Sequence, residues 1–269
     1  MTTKKIQKRV MKMTSEDRKV MSGFPSLDKI IGGFRPGSLN VIAGSPGRGK
    51  TGLALNIAYN AAVKYNKRVF IYALMGGKDE VESICSKFIP QDFIDVVKRH
   101  NIWISGKCGS FEEHKDTCRK AIDDKQPELI IIDCLEVFYK YESYEKERRQ
   151  SMAVAMSFLK QLAEEYEIPV IVLSQFCLRV FPCSSTPDIW ISDKPTLDEV
   201  ARYGREPVVQ GADVIIIIWP EGYTSKSREV HLASSRNVHL DVAKNKFGDS
   251  DVGAVVKFER TKCKYYEEE

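Results

Sequence analysis

The chain has 269 residues, a formal net charge of +4, and 43% hydrophobic and 29% charged side chains. That is enough to build one sizeable α/β domain around a large core. No apolar run approaches the ~18 residues of a membrane-spanning helix, and the basic N-terminus lacks the apolar segment of a secretory signal. The seven cysteines are scattered without a C-x-x-C pair, which disfavours a disulfide framework or a zinc site and suits reduced thiols in a cytoplasmic compartment.

Residues 1–20 carry seven Lys/Arg against Glu16 and Asp17, a net of +5, which leaves the rest of the chain near −1. Such an arm touches nucleic acid, docks on a neighbouring subunit, or is simply solvated. One domain is expected over residues 21–269. Its lead-in is punctuated by Pro25, Gly32-Gly33 and Pro36-Gly37, with a short helix "SLDKIIG" between them. "SLNVIAG" then reads as a buried strand and "TGLALNIAYNAAVKYN" as a helix.

Between strand and helix, Gly44-Ser45-Pro46-Gly47-Arg48-Gly49-Lys50-Thr51 fits the phosphate-loop pattern G-x-x-x-x-G-K-[ST], with Gly52 following. The glycines allow a tight turn that aims backbone N–H groups at phosphate oxygens. Lys50 is expected to reach the β- and γ-phosphates, and the Thr51 hydroxyl to ligate Mg²⁺. A helix starting at the loop adds its positive dipole end. A glycine-rich turn with a chance lysine would not also have strand, loop and helix in this order, so ATP binding is the expectation.

Further on, "RVFIYAL", "NIWIS", "LIIIDCLEVF", "IPVIVLSQF" and "GADVIIIIWP" read as strands. The segments "DEVESICSKFI", "FEEHKDTCRKAIDD" and "RRQSMAVAMSFLKQLAEEYE" between them read as helices. Continuous apolar strands alternating with helices predict a mostly parallel sheet covered on both faces. After residue 228 the pattern alternates apolar and polar around "KFGDSDVG", which predicts an antiparallel hairpin at the sheet edge. "LIIID" places Asp133 at a strand's C-terminal end, where it can hold Mg²⁺ through water. Ser174-Gln175 ends another strand as a polar pair, either sensing the γ-phosphate or capping the strand locally.

The order of "FPSLDKIIGGFRPGSLNVIAGSPGRGKTGLALNIA", "RVFIYAL", "LIIIDCLEVF", "FLKQLAEEYEIPVIVLSQ", "QGADVIIII" and "AKNKFGDSDVG" resembles the C-terminal motor domain of DnaB-type replicative helicases, over about residues 20–266. The resemblance implies a RecA-like P-loop NTPase fold and a homo-oligomeric, usually hexameric ring. It further implies nucleotide between neighbouring subunits, single-stranded DNA in the central channel, and partners such as primase or a loader. Residues 1–20 look like the remnant of a linker to the family's separate N-terminal domain. Lys50, Asp133, Gln175, Lys244 and Lys246 are then the candidate catalytic residues. Lys244 and Lys246 match the hairpin K-x-R whose arginine reaches into the neighbour's site. Lysine at 246 keeps the charge but loses the bidentate grip of guanidinium; two solvated lysines at a hairpin are the alternative.

One departure bears on turnover. After "RVFIY" the family carries a glutamate that polarises the attacking water, and Met75 stands at that position. A thioether cannot accept the proton, and losing such a group costs on the order of 10²–10⁴ in rate. Asp79, Glu80 and Glu136 are the nearby acids. The alternatives are therefore a slow ATPase, a nucleotide-binding helicase-like subunit with negligible turnover, and a KaiC/RadA-like ATPase. Loop residues Lys140, Lys146, Arg148, Arg149, Arg179 and Lys194 offer charge to a DNA backbone, although Glu142, Glu145 and Glu147 nearly cancel that of the first loop, which is no basic stripe. Tyr141, Tyr144, Phe181 and Trp190 either stack on bases or pack onto their own domain.

Overall fold

A computed structural model describes residues 14, 16–73, 99, 101–106, 109–138, 145–176, 195–202, 205–221, 235–259 and 262–268. The described elements run in the order α1 (Pro25–Ile31), β1 (Leu39–Gly44), α2 (Lys50–Lys64), β2 (Val69–Ala73), β3 (Ile102–Ser105), α3 (Phe111–Lys125), β4 (Leu129–Asp133) and a 3-10 turn (Leu135–Phe138). Next come α4 (Glu145–Tyr166), β5 (Val170–Gln175), α5 (Leu197–Ala201), α6 (Glu206–Gly211), β6 (Val214–Pro220), β7 (Ser235–Asn245), β8 (Val252–Glu259) and β9 (Lys264–Tyr266).

These strands form one sheet in the order β3-β2-β4-β5-β1-β6-β7-β8-β9. From β3 to β6 all neighbours are parallel, and β6 to β9 are antiparallel. The parallel part follows from its residues. Strands such as "VIIII" are apolar at every position because helices cover both faces. One face packs Ile42, Ile71, Ile131 and Ile216 against α1 and α2; the other packs Val41, Ile130, Val172 and Ile215 against α3 and α4. Helix α2 is buried nearly all round and rich in alanine, so it lies close under the sheet. The predicted hairpin around "KFGDSDVG" is the β7–β8 turn, and its strands bury alternate residues: Val238, Leu240 and Val242 face Ala254, Val256 and Phe258. A third antiparallel strand, β9, extends it, which the residue pattern did not suggest.

The lead-in is part of the core. Val20 pairs with Phe34 in an isolated bridge, and both are fully buried with Phe24 and Leu27. Asp28 holds this entry by accepting the N–H groups of Ser22 and Gly23 at 2.8 and 3.0 Å. Of the basic arm, Arg18 pairs with Glu167 at 2.7 Å and Lys19 with Glu16 at 2.7 Å. Among the described residues no helix is long and apolar enough to cross a membrane. Cys118, Cys134 and Cys263 are thiols, and burial pushes Cys118 up to about 12. The predicted helix over residues 79–89 lies outside the described residues.

Candidate nucleotide-binding site

Three neighbouring parallel strands end together. Gly44 on β1 is in register with Gln175 on β5, and β5 pairs on its other side with β4, which ends at Asp133. The phosphate loop leaves this edge and turns into α2. Lys50 folds its side chain back into the loop, and its ammonium donates to the carbonyls of Gly44 and Ser45 at 2.9 and 3.1 Å. It is only 6% exposed. Burial lowers its pKa, and the negative charges of Glu136 and Asp133 act against that lowering. A buried cation held by loop carbonyls at the start of a helix fits a triphosphate, whose charge it would meet.

The Thr51 hydroxyl donates to Asp133 Oδ2 at 2.7 Å. Residues 82 apart in sequence thus place two hard oxygens side by side, as Mg²⁺ binding requires. No cluster of three or more His, Cys, Asp and Glu that could hold a metal occurs among the described residues. Mg²⁺ needs none, because it takes one or two protein oxygens and fills the rest of its shell with phosphate and water.

Two glycines are fixed by close approach. Gly49 has φ of 91°, and a β-carbon there would collide with the Tyr265 hydroxyl. A β-carbon on Gly44 would lie 2.8 Å from Ile218 Cγ2. Arg48, Ser45, Pro46, Gly47 and Gly52 occupy the loop and first turn as the motif predicts. Gln175 sits at the β5 tip, where its backbone N–H donates to Glu136 Oε1 at 2.8 Å and the neighbouring Ser174 hydroxyl donates to the same oxygen at 3.2 Å.

Lys244 and Lys246 are not at this edge. Lys244 donates to the carbonyls of Val209 and Ala212 at 2.7 and 2.6 Å, closing the C-terminal end of α6. Lys246 pairs with Asp213 at 3.4 Å. Asp213 also accepts from Leu39 N–H at 2.8 Å, at the opposite end of β1 from Gly44. At about 3.3 Å per strand residue, Lys246, level with Leu39, stands roughly 16 Å of strand away from its own phosphate loop, and Lys244, level with Val41, roughly 10 Å.

Sequence reasoning missed Tyr265, whose hydroxyl donates to the Gly49 carbonyl at 3.1 Å, and the clamp on Glu136. It also missed Arg205, whose charge acts on Lys50 and whose Nε is buried without a hydrogen-bond partner. No local signal marks these; only folding brings them together. Lys146, Arg148 and Arg149, expected in a loop, lie instead in the first turns of α4, where Arg149 faces Glu206 at 3.7 Å. Met75, Asp79, Glu80, Lys140, Tyr141, Tyr144, Arg179, Phe181, Trp190 and Lys194 lie outside the described residues.

A phosphate loop feeding a central helix, an acid on the strand two places over, and a parallel sheet with this strand order define a RecA-like P-loop nucleotide-binding domain. The family model of the DnaB-like helicase C terminal domain matches residues 19–89 and 78–267, and the chain belongs to that family. It is 25% identical over 250 residues to the replicative DNA helicase DnaB of Geobacillus stearothermophilus, covering 85% of this chain and 52% of that protein. The chain thus spans about half the length of the curated relative it matches. Among solved structures it is similar to an ATPase domain of nearly its own size, with a TM-score of 0.72 and 20% identity over 98% of this chain and 96% of that one. It is also similar to a DnaB-like replicative helicase described with its interactions with primase, with a TM-score of 0.70 and 22% identity over 93% of this chain and 62% of that one.

Proposed function

We propose that the chain is the ATP-driven motor domain of a replicative-type DNA helicase, coupling ATP hydrolysis to movement on single-stranded DNA. The observation that carries this reading is the 2.7 Å contact between Thr51 and Asp133 beside the buried Lys50. The backbone amides of residues 44–51 and Lys50 bind the phosphates. Thr51 and Asp133 would hold Mg²⁺, which when bound would neutralise charge developing on the transferred phosphoryl group. Gln175 senses the γ-phosphate from the tip of β5. Lys246, with Lys244 bracing its strand, faces the site of the next subunit in a homo-oligomeric, hexameric ring. Its place at the far end of the sheet supports an action in trans only. By family likeness the partners are single-stranded DNA and a primase or loader, in a cytoplasmic setting.

One observation favours a second reading. Met75 in place of the expected glutamate favours a subunit that binds nucleotide with little turnover. A titration with ATP and Mg²⁺ and a phosphate-release assay separate the two. The helicase reading expects a Lys50-dependent complex, turnover stimulated by single-stranded DNA, and activity rising faster than linearly with protein concentration until assembly is complete. A tight complex with no phosphate release supports the second reading. No detectable complex, or Lys50→Ala leaving affinity untouched, would sink both.

A further inference from the structure

A second carboxylate lies between Asp133 and the polar end of β5. Glu136, in the 3-10 turn that follows β4, is 3% exposed. Its Oε1 is fully engaged, accepting from the Gln175 backbone N–H at 2.8 Å and from the Ser174 hydroxyl at 3.2 Å. Its Oε2 is buried with no hydrogen-bond partner. The Cys134 thiol hydrogen-bonds this carboxylate and is pushed up by burial, then by Glu136's charge and that bond; a thiol is a weak donor that leaves room for a stronger partner at Oε2. Among the acids acting on the Lys50 ammonium, Glu136 acts more strongly than Asp133. Gln175, whose N–H it accepts, is in register with Gly44 at the start of the phosphate loop, so the carboxylate stands at the edge of that pocket.

A clamp across two strand ends does not require this chemistry. One neutral acceptor oxygen would satisfy both donors, whereas a carboxylate brings a desolvated charge and leaves one oxygen empty, an arrangement structures seldom keep without a use. The phosphate-loop pattern gives Glu136 no role, and the resemblance assigns the water-polarising glutamate to the sequence position of Met75, which is not an acid.

We propose that Glu136 is the group that orients and deprotonates the attacking water in this site, with Oε2 as the acceptor. This rests on the ATP-hydrolysis reading above. The water oxygen bonds to the γ-phosphorus as the bond from that phosphorus to the β,γ-bridging oxygen breaks. The electron pair of that bond leaves with ADP. The water proton passes to Oε2 and from there to the phosphate product. Throughout, Oε1 stays fixed by Gln175 and Ser174, so the tip of β5 sets where Oε2 points.

The test is Glu136→Gln in the full chain under assembling conditions. Glutamine keeps an oxygen for both Gln175 and Ser174 but cannot take the proton. The expected result is a kcat reduced at least ~100-fold, with KM for ATP and the thermal midpoint essentially unchanged. Acid-quenched protein should hold ATP where the unsubstituted chain holds ADP. Glu136→Asp, which keeps the acid but shortens its reach, should give an intermediate rate; it also serves if the glutamine variant does not fold. Glu136→Gln turning over within about threefold of the unsubstituted chain overturns the proposal and leaves the ATPase reading standing. A raised KM with unchanged kcat also overturns it, since that marks a structural clamp alone. An unsubstituted chain that binds ATP but releases no phosphate overturns both together.

Discussion

Tyr265 on the last strand donates its phenolic hydrogen to the carbonyl oxygen of Gly49, the residue that caps the phosphate-loop helix, at 3.1 Å. Asn56 on that helix supports the contact from below. It donates to the Cys263 carbonyl at 2.9 Å and accepts the Tyr265 N–H at 3.1 Å. The C-terminal strand is thereby fastened to the loop that would hold the phosphates.

Gly49→Ala and Tyr265→Phe should therefore be coupled. The alanine is strained at φ of 91° and meets the tyrosine hydroxyl, an expected loss of about 1–3 kcal/mol from the backbone alone. Removing the hydroxyl should cost ~0.5–1.5 kcal/mol by itself while giving the alanine room. The double variant should be less destabilised than the two losses combined, as read by urea denaturation of all four proteins. Additivity within ~0.3 kcal/mol would mean that the strand and the loop do not touch in solution.

Lys50→Met should separate binding from folding. Burial holds the Lys50 pKa below its ordinary value. A lysine depressed in this way contributes stability that is present above the unfolded value of ~10.4 and is lost as pH falls through the folded value. At neutral pH its charge thus weighs on the nucleotide-free fold. Nucleotide-free Lys50→Met should melt at the same temperature as the parent or higher, its advantage shrinking as pH approaches ~10.4. ATP affinity should fall at least ~100-fold, since a charged donor to phosphate is gone. Differential scanning fluorimetry and calorimetric titration read the two effects. A large drop in melting temperature at neutral pH would contradict this account.

Thr51→Val removes the hydroxyl that contacts Asp133 at 2.7 Å while keeping the side-chain shape. Affinity for ATP should fall about tenfold or more with Mg²⁺ present and change by less than ~2-fold in a chelator. Equal losses in both conditions would remove Thr51 from the metal site.

Asp213 and Lys246 should behave oppositely. Asp213 is 4% exposed on its side chain and holds Lys160 at 2.6 Å as well as Lys246. Asp213→Ala should cost about 1–3 kcal/mol, because it leaves the buried Leu39 N–H unpaired and takes one partner from Lys160, which keeps Glu164 and the Gly37 carbonyl. Lys246 is 63% exposed, and Lys246→Ala should cost under ~1 kcal/mol yet lower turnover of the assembled protein. Mixing Lys246→Ala with Lys50→Ala subunits should restore part of the activity, because each intact site then draws its loop and its lysine from different chains. No recovery on mixing would argue against a shared site.

Much of the site was legible because it is local. The spacing of Gly44, Gly49, Lys50 and Thr51 encodes a loop whose geometry is set by adjacent residues, and an apolar run ending on Asp133 is a strand tip wherever it folds. The parallel sheet followed from strands with no polar face, and the β7–β8 hairpin from alternation around "KFGDSDVG". The remainder needed long-range pairing. Glu136 was one acid among several until Gln175 and Ser174 closed on one of its oxygens and left the other empty. Lys244 and Lys246 were a motif until the α6 carbonyls held the first and Asp213 the second, away from the phosphate-loop edge. Tyr265 had no signal, since the residue it fastens lies 216 positions away. Sequence determined this chain's loop chemistry and strand character, which depend on neighbours in the chain; the tertiary structure alone decided which buried charges face one another, because burial and pairing are set by strand order.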